Sequence, residues 1–293
     1  MITSTETGDS IWQYDVPLRN YTSFRTGGVA EIFAEPRSIS ELKKVLQFCK
    51  REQKKIFVLG NGSNVLVNDN GVQGVVVYMG GAHFKQIKRN GMFICSGAGT
   101  SLSELMRKAA TWGLGGLGAL VGIPGTVGGA VVMNAGGKYG NVSDSIASVT
   151  TMTFNGEIKT HNRKDIDFWY RGCGLQKQIV IEVTFLLKGA EKEKVFGEMD
   201  KIFQEKKESQ PLATLNAGCI FKNTQGFKAA ELIDRANLKG MKVGGAAVSS
   251  IHANFIVNAE NATSCDILGL IKVIKNTVKK KYNVTLETEL QIW

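Results

Sequence analysis

No apolar run in this 293-residue chain approaches the ~20 residues needed to cross a bilayer. The opening MITSTETGDSIWQYD has neither a basic stretch nor an apolar one, so no secretory signal is expected and the cytoplasm is the expected compartment. The five cysteines (Cys49, Cys95, Cys173, Cys219, Cys265) are odd in number, widely spread and never arranged as CxxC. The three histidines (His83, His161, His252) are equally scattered. This argues against a disulfide framework and against a metal site. The glycine-rich fingerprints of common nucleotide folds are not found in their required setting either: Gly113-Leu114-Gly115-Gly116-Leu117-Gly118 spells GxGxxG, but it follows an expected helix and not a strand. Gly116-Leu117-Gly118 is followed by Gly122, one position too late for GxGxxG, and Gly97-Ala98-Gly99 lacks a third glycine. With no GxxxxGK[ST] in the chain a P-loop is excluded, and with no GxGxxG between a strand and a helix a Rossmann fold is not expected. Internal repeats and low-complexity segments are also absent.

Acidic residues are in deficit: 36 basic against 26 acidic gives a net charge of +10. No nucleic-acid motif accompanies that charge, so anionic small ligands explain it better than RNA or DNA. Two helical stretches are rich in charge: 191–209 mixes signs, with five basic and six acidic residues, and 264–282 carries five basic residues against one acidic. The second ends in Lys279-Lys280-Lys281, where lysines favour a helix C-terminus. The length suits two or three compact domains.

Glycine, by contrast, is concentrated. Between Gly113 and Gly140 there are eleven glycines in twenty-eight residues, interleaved with Leu117, Leu120, Val121, Ile123, Val127, Val131 and Val132. A flexible linker would be polar. Glycine mixed with core residues instead predicts a buried backbone pressed against something flat, anionic or both. Within it, Gly122-Ile123-Pro124-Gly125-Thr126-Val127-Gly128-Gly129 is the expected ligand wall, stiffened by Pro124.

Around this stretch the pattern alternates strands and helices. Residues 1–20 read as a loose lead-in. Capping boxes at Ser38–Glu41 and Ser101–Glu104 open two helices, and strands are expected at 55–59, 74–79 and 92–96. Asn155-Gly156 predicts a hairpin between 149–154 and 157–161, and a further strand spans 179–187. The composition shifts to charged helix near Glu191, placing a boundary at Gly189. Beyond it come strands at 219–222, 253–257 and 285–292 and helices at 228–237 and 266–280. The expected units are 1–80, 81–189 and 190–293.

Several residues could carry chemistry. Gly60-Asn61-Gly62-Ser63-Asn64 follows a strand, and such a turn is either an anion-binding nest of backbone N–H groups or ordinary tight-turn chemistry. Arg171, after Tyr170, either caps a strand or binds a carboxylate and stabilises negative charge. Cys219 is either a small buried thiol or part of a polar cluster with Lys222 and Asn223. Glu287 and Glu289, two apart on an expected strand, face one side.

Taken in order, these pieces resemble the UDP-N-acetylenolpyruvoylglucosamine reductase family. The matching segments are Asn20–Gly28, Gly60–Asn64, Gly122–Ala130 with Asn134-Ala135-Gly136, Tyr170-Arg171, Gly218–Asn223, Ala230–Gly240 continuing through His252–Asn258, and Leu286–Leu290. They run from about Asn20 to Glu289. The resemblance implies an α+β fold: two subdomains of the vanillyl-alcohol-oxidase-like (PCMH) type holding FAD without a covalent bond, then a C-terminal α+β substrate domain.

It also implies that NADPH reduces the flavin, which then passes hydride to C3 of the enolpyruvyl group of UDP-N-acetylglucosamine enolpyruvate, with protonation at C2. The two glycine segments (Gly60, Asn61, Gly62, Ser63, Asn64; Gly122, Ile123, Pro124, Gly125, Thr126, Gly128, Gly129) would hold FAD. Arg171 would stabilise the enolate, Cys219 donate the proton, and Glu289 assist. Tyr170, Lys222 and Asn223 would hold the UDP-sugar. No nucleic-acid or membrane partner is implied, and a monomer is expected.

The chain departs from the family pattern at Cys219 and Cys173, often serine, and at Thr224, usually proline. It also ends at Trp293 without the usual terminal glycine extension. The short span from Arg171 to Leu187 leaves no room for an extra substrate loop, which implies the shorter class. The competing readings are an FAD oxidase or dehydrogenase of another small molecule, and a non-catalytic nucleotide-binding module.

Overall fold

The computed structural model describes residues 11–224 and 226–293. The first half of the expected lead-in, Met1–Ser10, lies outside the described residues. Its second half is ordered structure. Trp12–Pro17 forms a strand antiparallel to Val29–Ala34. The sequence hides this strand because it is an exposed edge. Gln13, Tyr14 and Asp15 face solvent, and Asp15 takes φ 51°, which breaks the alternation that marks a half-buried strand.

Val29–Ala34 continues into a sheet with Val72–Tyr78 and then Ile56–Leu59, both in parallel. Helix α1 (Ile39–Arg51) begins where Ser38 accepts a hydrogen bond from Glu41 N at 3.1 Å. It buries Leu42, Val45, Leu46 and Cys49. Their core includes Met152, Ile179 and Ile181, so the first two units share one apolar interior.

The second unit is a five-stranded antiparallel sheet in the order Ile158–Asn162, Ile146–Thr153, Gln178–Leu186, Phe93–Gly97, Ile87–Asn90. The expected hairpin turn is present, with Gly156 at φ 86°. Helices α2 (Leu102–Thr111) and α3 (Val127–Val132) contribute Leu102, Leu105, Val127 and Val131 to its core. Helix α4 (Lys192–Ser209) rests on the same core through Met199 and Ile202. The composition change near Glu191 therefore marks a surface helix lying on the second unit.

The C-terminal core begins at Ala217 and takes in helices α5 (Ala229–Arg235) and α6 (Ser264–Tyr282). A three-stranded sheet of Lys242–Val243, Ala246–Val248 and Ile256–Asn258 completes it. Phe24 and Leu66 from the N-terminal unit are buried in this core. Asp69 locks the junction, its carboxylate accepting from Ser264 N at 2.8 Å and Cys265 N at 3.0 Å. The last strand, Gln291–Ile292, runs parallel to Val65–Leu66 and brings the chain's end back to the first unit. Residues 219–222 and most of 285–292, expected as strands, pair instead through isolated bridges, Cys219 with Phe255 and Phe221 with Thr288. Among the described residues no helix is long and apolar enough to cross a membrane.

Candidate active site

The 60–64 turn and the 122–129 segment meet. Asn61 Nδ2 donates to Pro124 O at 3.2 Å and reaches Gly125 O at 3.5 Å. A Cβ on Gly60 would overlap Thr126 Oγ1, so only glycine lets the two walls approach this closely. Gly62, at φ 59°, lies against Tyr21 O, and its own carbonyl accepts from Ser23 N at 3.1 Å.

On the other wall Thr126 caps α3, accepting from Gly129 N at 3.4 Å. Val127 N and Gly128 N are consumed by Thr100 O and Ala98 O at 2.9 and 2.8 Å, which fixes the wall to the sheet behind it. Among the described residues, the backbone N–H groups of Asn61, Gly62 and Ser63 meet no acceptor. Two buried polar atoms beside α3, Thr100 Oγ1 and Asn134 Oδ1, also lack partners. Unspent donors and glycine backbone on facing walls suit a ligand that is both anionic and flat, and these features fit the pyrophosphate and ring of FAD.

The chemistry-bearing residues gather from three distant segments. Phe168–Trp169 pairs with Gly172–Cys173, which leaves Tyr170 and Arg171 as the tip of a two-residue hairpin. Such a tip calls for positive φ, and Arg171 adopts 61° although it is not glycine. Asn134 Nδ2 ties the hairpin to the end of α3 by donating to Trp169 O at 3.1 Å. The Arg171 guanidinium stacks on the Tyr170 ring, 4.9 Å from its centroid. Its Nε lies 2.7 Å from Glu289 Oε1. That Nε is nevertheless without an aligned hydrogen bond, so the contact is an ion pair whose N–H points off the oxygen.

Cys219 and Glu289 are brought together by backbone pairing, with Glu289 N donating to Ile220 O at 2.8 Å. Asn64 Nδ2 then ties Glu289 to the glycine turn by donating to Glu289 O at 3.2 Å. Burial pushes the Cys219 thiol up to about 12; Glu289 adds to the rise, while Arg171 and a hydrogen bond with Asn254 oppose it. The thiol therefore stays protonated at neutral pH despite a cation nearby. Burial likewise raises the Glu289 carboxyl, against the pull of Arg171 and Lys222.

Glu287 does not share this place. Its backbone accepts from Lys222 N at 2.9 Å, and its exposed carboxylate pairs with Lys222 Nζ at 3.0 Å. Tyr170 and Asn223 also meet, Asn223 N donating to the Tyr170 hydroxyl at 3.2 Å. Asn223 Oδ1 is occupied at the start of α5, where it accepts from Ala229 N at 3.0 Å.

Sequence reasoning missed Asn134, which anchors the hairpin, and Asn254, which lies behind Cys219. The available signal was a polar residue in an apolar run. Asn254 sits in Ala253-Asn254-Phe255-Ile256 and is 3% exposed, and a buried amide in such a place is spoken for by hydrogen bonds.

Comparison with known proteins agrees with this geometry. Residues 210–293 match the family model for the C-terminal domain of UDP-N-acetylenolpyruvoylglucosamine reductase, and residues 30–162 match that of an FAD binding domain. The chain is 41% identical over 280 residues to the UDP-N-acetylenolpyruvoylglucosamine reductase of Clostridium novyi, covering 95% of this chain and 91% of that one. It is 39% identical over 282 residues to that of Lactobacillus delbrueckii subsp. bulgaricus, covering 96% and 94%. The crystal structure of UDP-N-acetylenolpyruvylglucosamine reductase from Thermus caldophilus superposes with a TM-score of 0.83 at 35% identity, covering 96% of this chain and 98% of that one. An FAD-binding region followed by the specific C-terminal domain, matched almost end to end at this identity, places the chain in the UDP-N-acetylenolpyruvoylglucosamine reductase family.

Proposed function

We propose that this chain reduces UDP-N-acetylglucosamine enolpyruvate to UDP-N-acetylmuramate, a peptidoglycan precursor, with non-covalent FAD as the redox group and NADPH as electron source. The reading includes action in the cytoplasm, as a monomer, from units 1–80, 81–189 and 190–293. FAD, when bound, supplies the hydride that adds to C3 of the enolpyruvyl group.

The chain's own residues do the rest. The 60–64 turn and 122–129 wall hold the cofactor through backbone donors. Tyr170, Lys222 and Asn223 hold the UDP-sugar. Negative charge gathers on the substrate's enolate and carboxylate once hydride has added, and the Arg171 guanidinium stabilises it. Cys219 then gives its proton to C2: the S–H bond breaks, the C2–H bond forms with the enolate's electron pair, and the thiolate left behind regains a proton from solvent. Glu289 holds Arg171 in place and keeps the thiol protonated until it is needed.

The observation that carries this reading is the convergence of Arg171, Cys219 and Glu289, a cation beside a protonated thiol, next to the glycine walls. A spectral titration tests it. The purified protein is expected to be yellow, to bleach with NADPH, and to regain its colour on addition of the enolpyruvyl UDP-sugar. Protein that cannot take up FAD contradicts the reading, and bleaching without recovery points to another oxidised substrate.

A further inference from the structure

Behind Cys219 lies a buried amide whose oxygen and nitrogen are both committed. Asn254 Oδ1 accepts from Phe221 N at 3.0 Å, and its Nδ2 donates to Phe221 O at 2.8 Å. Its main-chain oxygen accepts from Ile220 N at 2.9 Å. The side chain thus does for Phe221 what a neighbouring strand would do, and Cys219 itself bridges to Phe255 next door. On the opposite edge the same segment is held by Glu289 N on Ile220 O at 2.8 Å and by Lys222 N on Glu287 O at 2.9 Å. Cys219–Phe221 is therefore the middle of a three-part ladder, with Asn254 forming one side and the Glu289 segment the other.

The amide's orientation is fixed by its partners, since only Oδ1 can accept from Phe221 N and only Nδ2 can donate to Phe221 O. Asn254 also bears on the Cys219 thiol, opposing the rise that burial imposes on it. The charged groups acting on the sulfur are Arg171 from the hairpin and Glu289 from the terminal segment.

We propose that Asn254 is the positioning residue of the proton donor: by its two bonds to Phe221 and its carbonyl's bond to Ile220 N it fixes the Cys219–Phe221 segment, and with it the thiol, on the side that carries Arg171 and Glu289. This rests on the reading of function given above and adds a residue to it.

The test separates the half-reactions of the FAD-loaded protein. Asn254→Ala leaves reduction by NADPH unchanged and slows reoxidation by the enolpyruvyl UDP-sugar about tenfold or more, as a proton donor held out of place does. Asn254→Leu, which keeps the volume but no polar atom, does the same. The decisive arm is the double variant. In a Cys219→Ala background, Asn254→Ala has no further effect on reoxidation, because the thiol through which it acts is gone.

Equal slowing of both half-reactions, or a loss that multiplies in the Cys219→Ala background, overturns the proposal by showing a general structural role. Failure of both single variants to fold with FAD overturns it as well, since Asn254 is then a determinant of the fold. A wild-type protein whose reduced flavin is not reoxidised by this substrate overturns the reading of function, and this inference with it.

Discussion

At Cys219 burial and a neighbouring carboxylate act against a guanidinium and an amide, and burial wins, leaving the thiol at about 12. A thiol this high is about one part in ten thousand thiolate at pH 8, and only the thiolate attacks alkylating reagents. Burial also raises Cys49, to about 11, and Cys173, and it raises Cys95 to about 12 with help from Glu182. Cys265 is exposed. Iodoacetamide at pH 8, followed by peptide mapping, is therefore expected to label Cys265 first and Cys219 only slowly. Rapid labelling of Cys219 would mean that Arg171 dominates its surroundings and that the thiol is no store of protons.

The elements that build the site are short and irregular, and they hold their places by fitting one another. The 60–64 turn touches Thr126 with no space for a side-chain carbon. Gly60→Ala is expected to push the turn off α3 and weaken FAD binding at least tenfold, about the effect of losing 1.4 kcal/mol of site geometry. Thr126→Ala removes the oxygen and methyl that the new carbon would strike, so the double variant should recover part of the affinity. Fluorescence titration of the apoprotein with FAD measures both. Gly60→Ala binding FAD as well as the unsubstituted chain would mean that the two walls do not hold one ligand between them.

At the scale of the whole molecule, the site exists only where the units interlock. Arg171 comes from the second unit and Cys219 and Glu289 from the third, while Asn64 of the first is bonded to Glu289. Sequence reading found what is locally encoded: the capped starts of α1 and α2, and the Asn155-Gly156 turn. The edge strand Trp12–Pro17 escaped it because its exposed residues carry no alternating pattern. The Cys219 segment was misread as a strand because half of its partners come from the side chain and carbonyl of Asn254. The convergence of residues 171, 219 and 289 has no local signal at all, and only the family resemblance placed them together. Glu287 and Glu289 share a parity, so alternation could not say which turns inward. Tertiary pairing sends Glu287 to Lys222 and Glu289 to Arg171.

The net charge of +10 belongs to this scale too. Both proposed reactants are anions, so rising ionic strength is expected to lower kcat/KM for each. A kcat/KM that is flat with salt would leave the basic balance unconnected to binding.

The central claim is that Cys219 supplies the proton after Arg171 has steadied the charge. Stopped-flow measurement of the two half-reactions in Cys219→Ala tests it most directly. Reduction by NADPH is expected at the wild-type rate, with reoxidation by the enolpyruvyl UDP-sugar slowed ~10²–10⁴-fold, the usual contribution of a general acid, and Cys219→Ser retaining much of the wild-type rate. Reoxidation of Cys219→Ala at the wild-type rate would contradict the account and send the search for the proton elsewhere in the site.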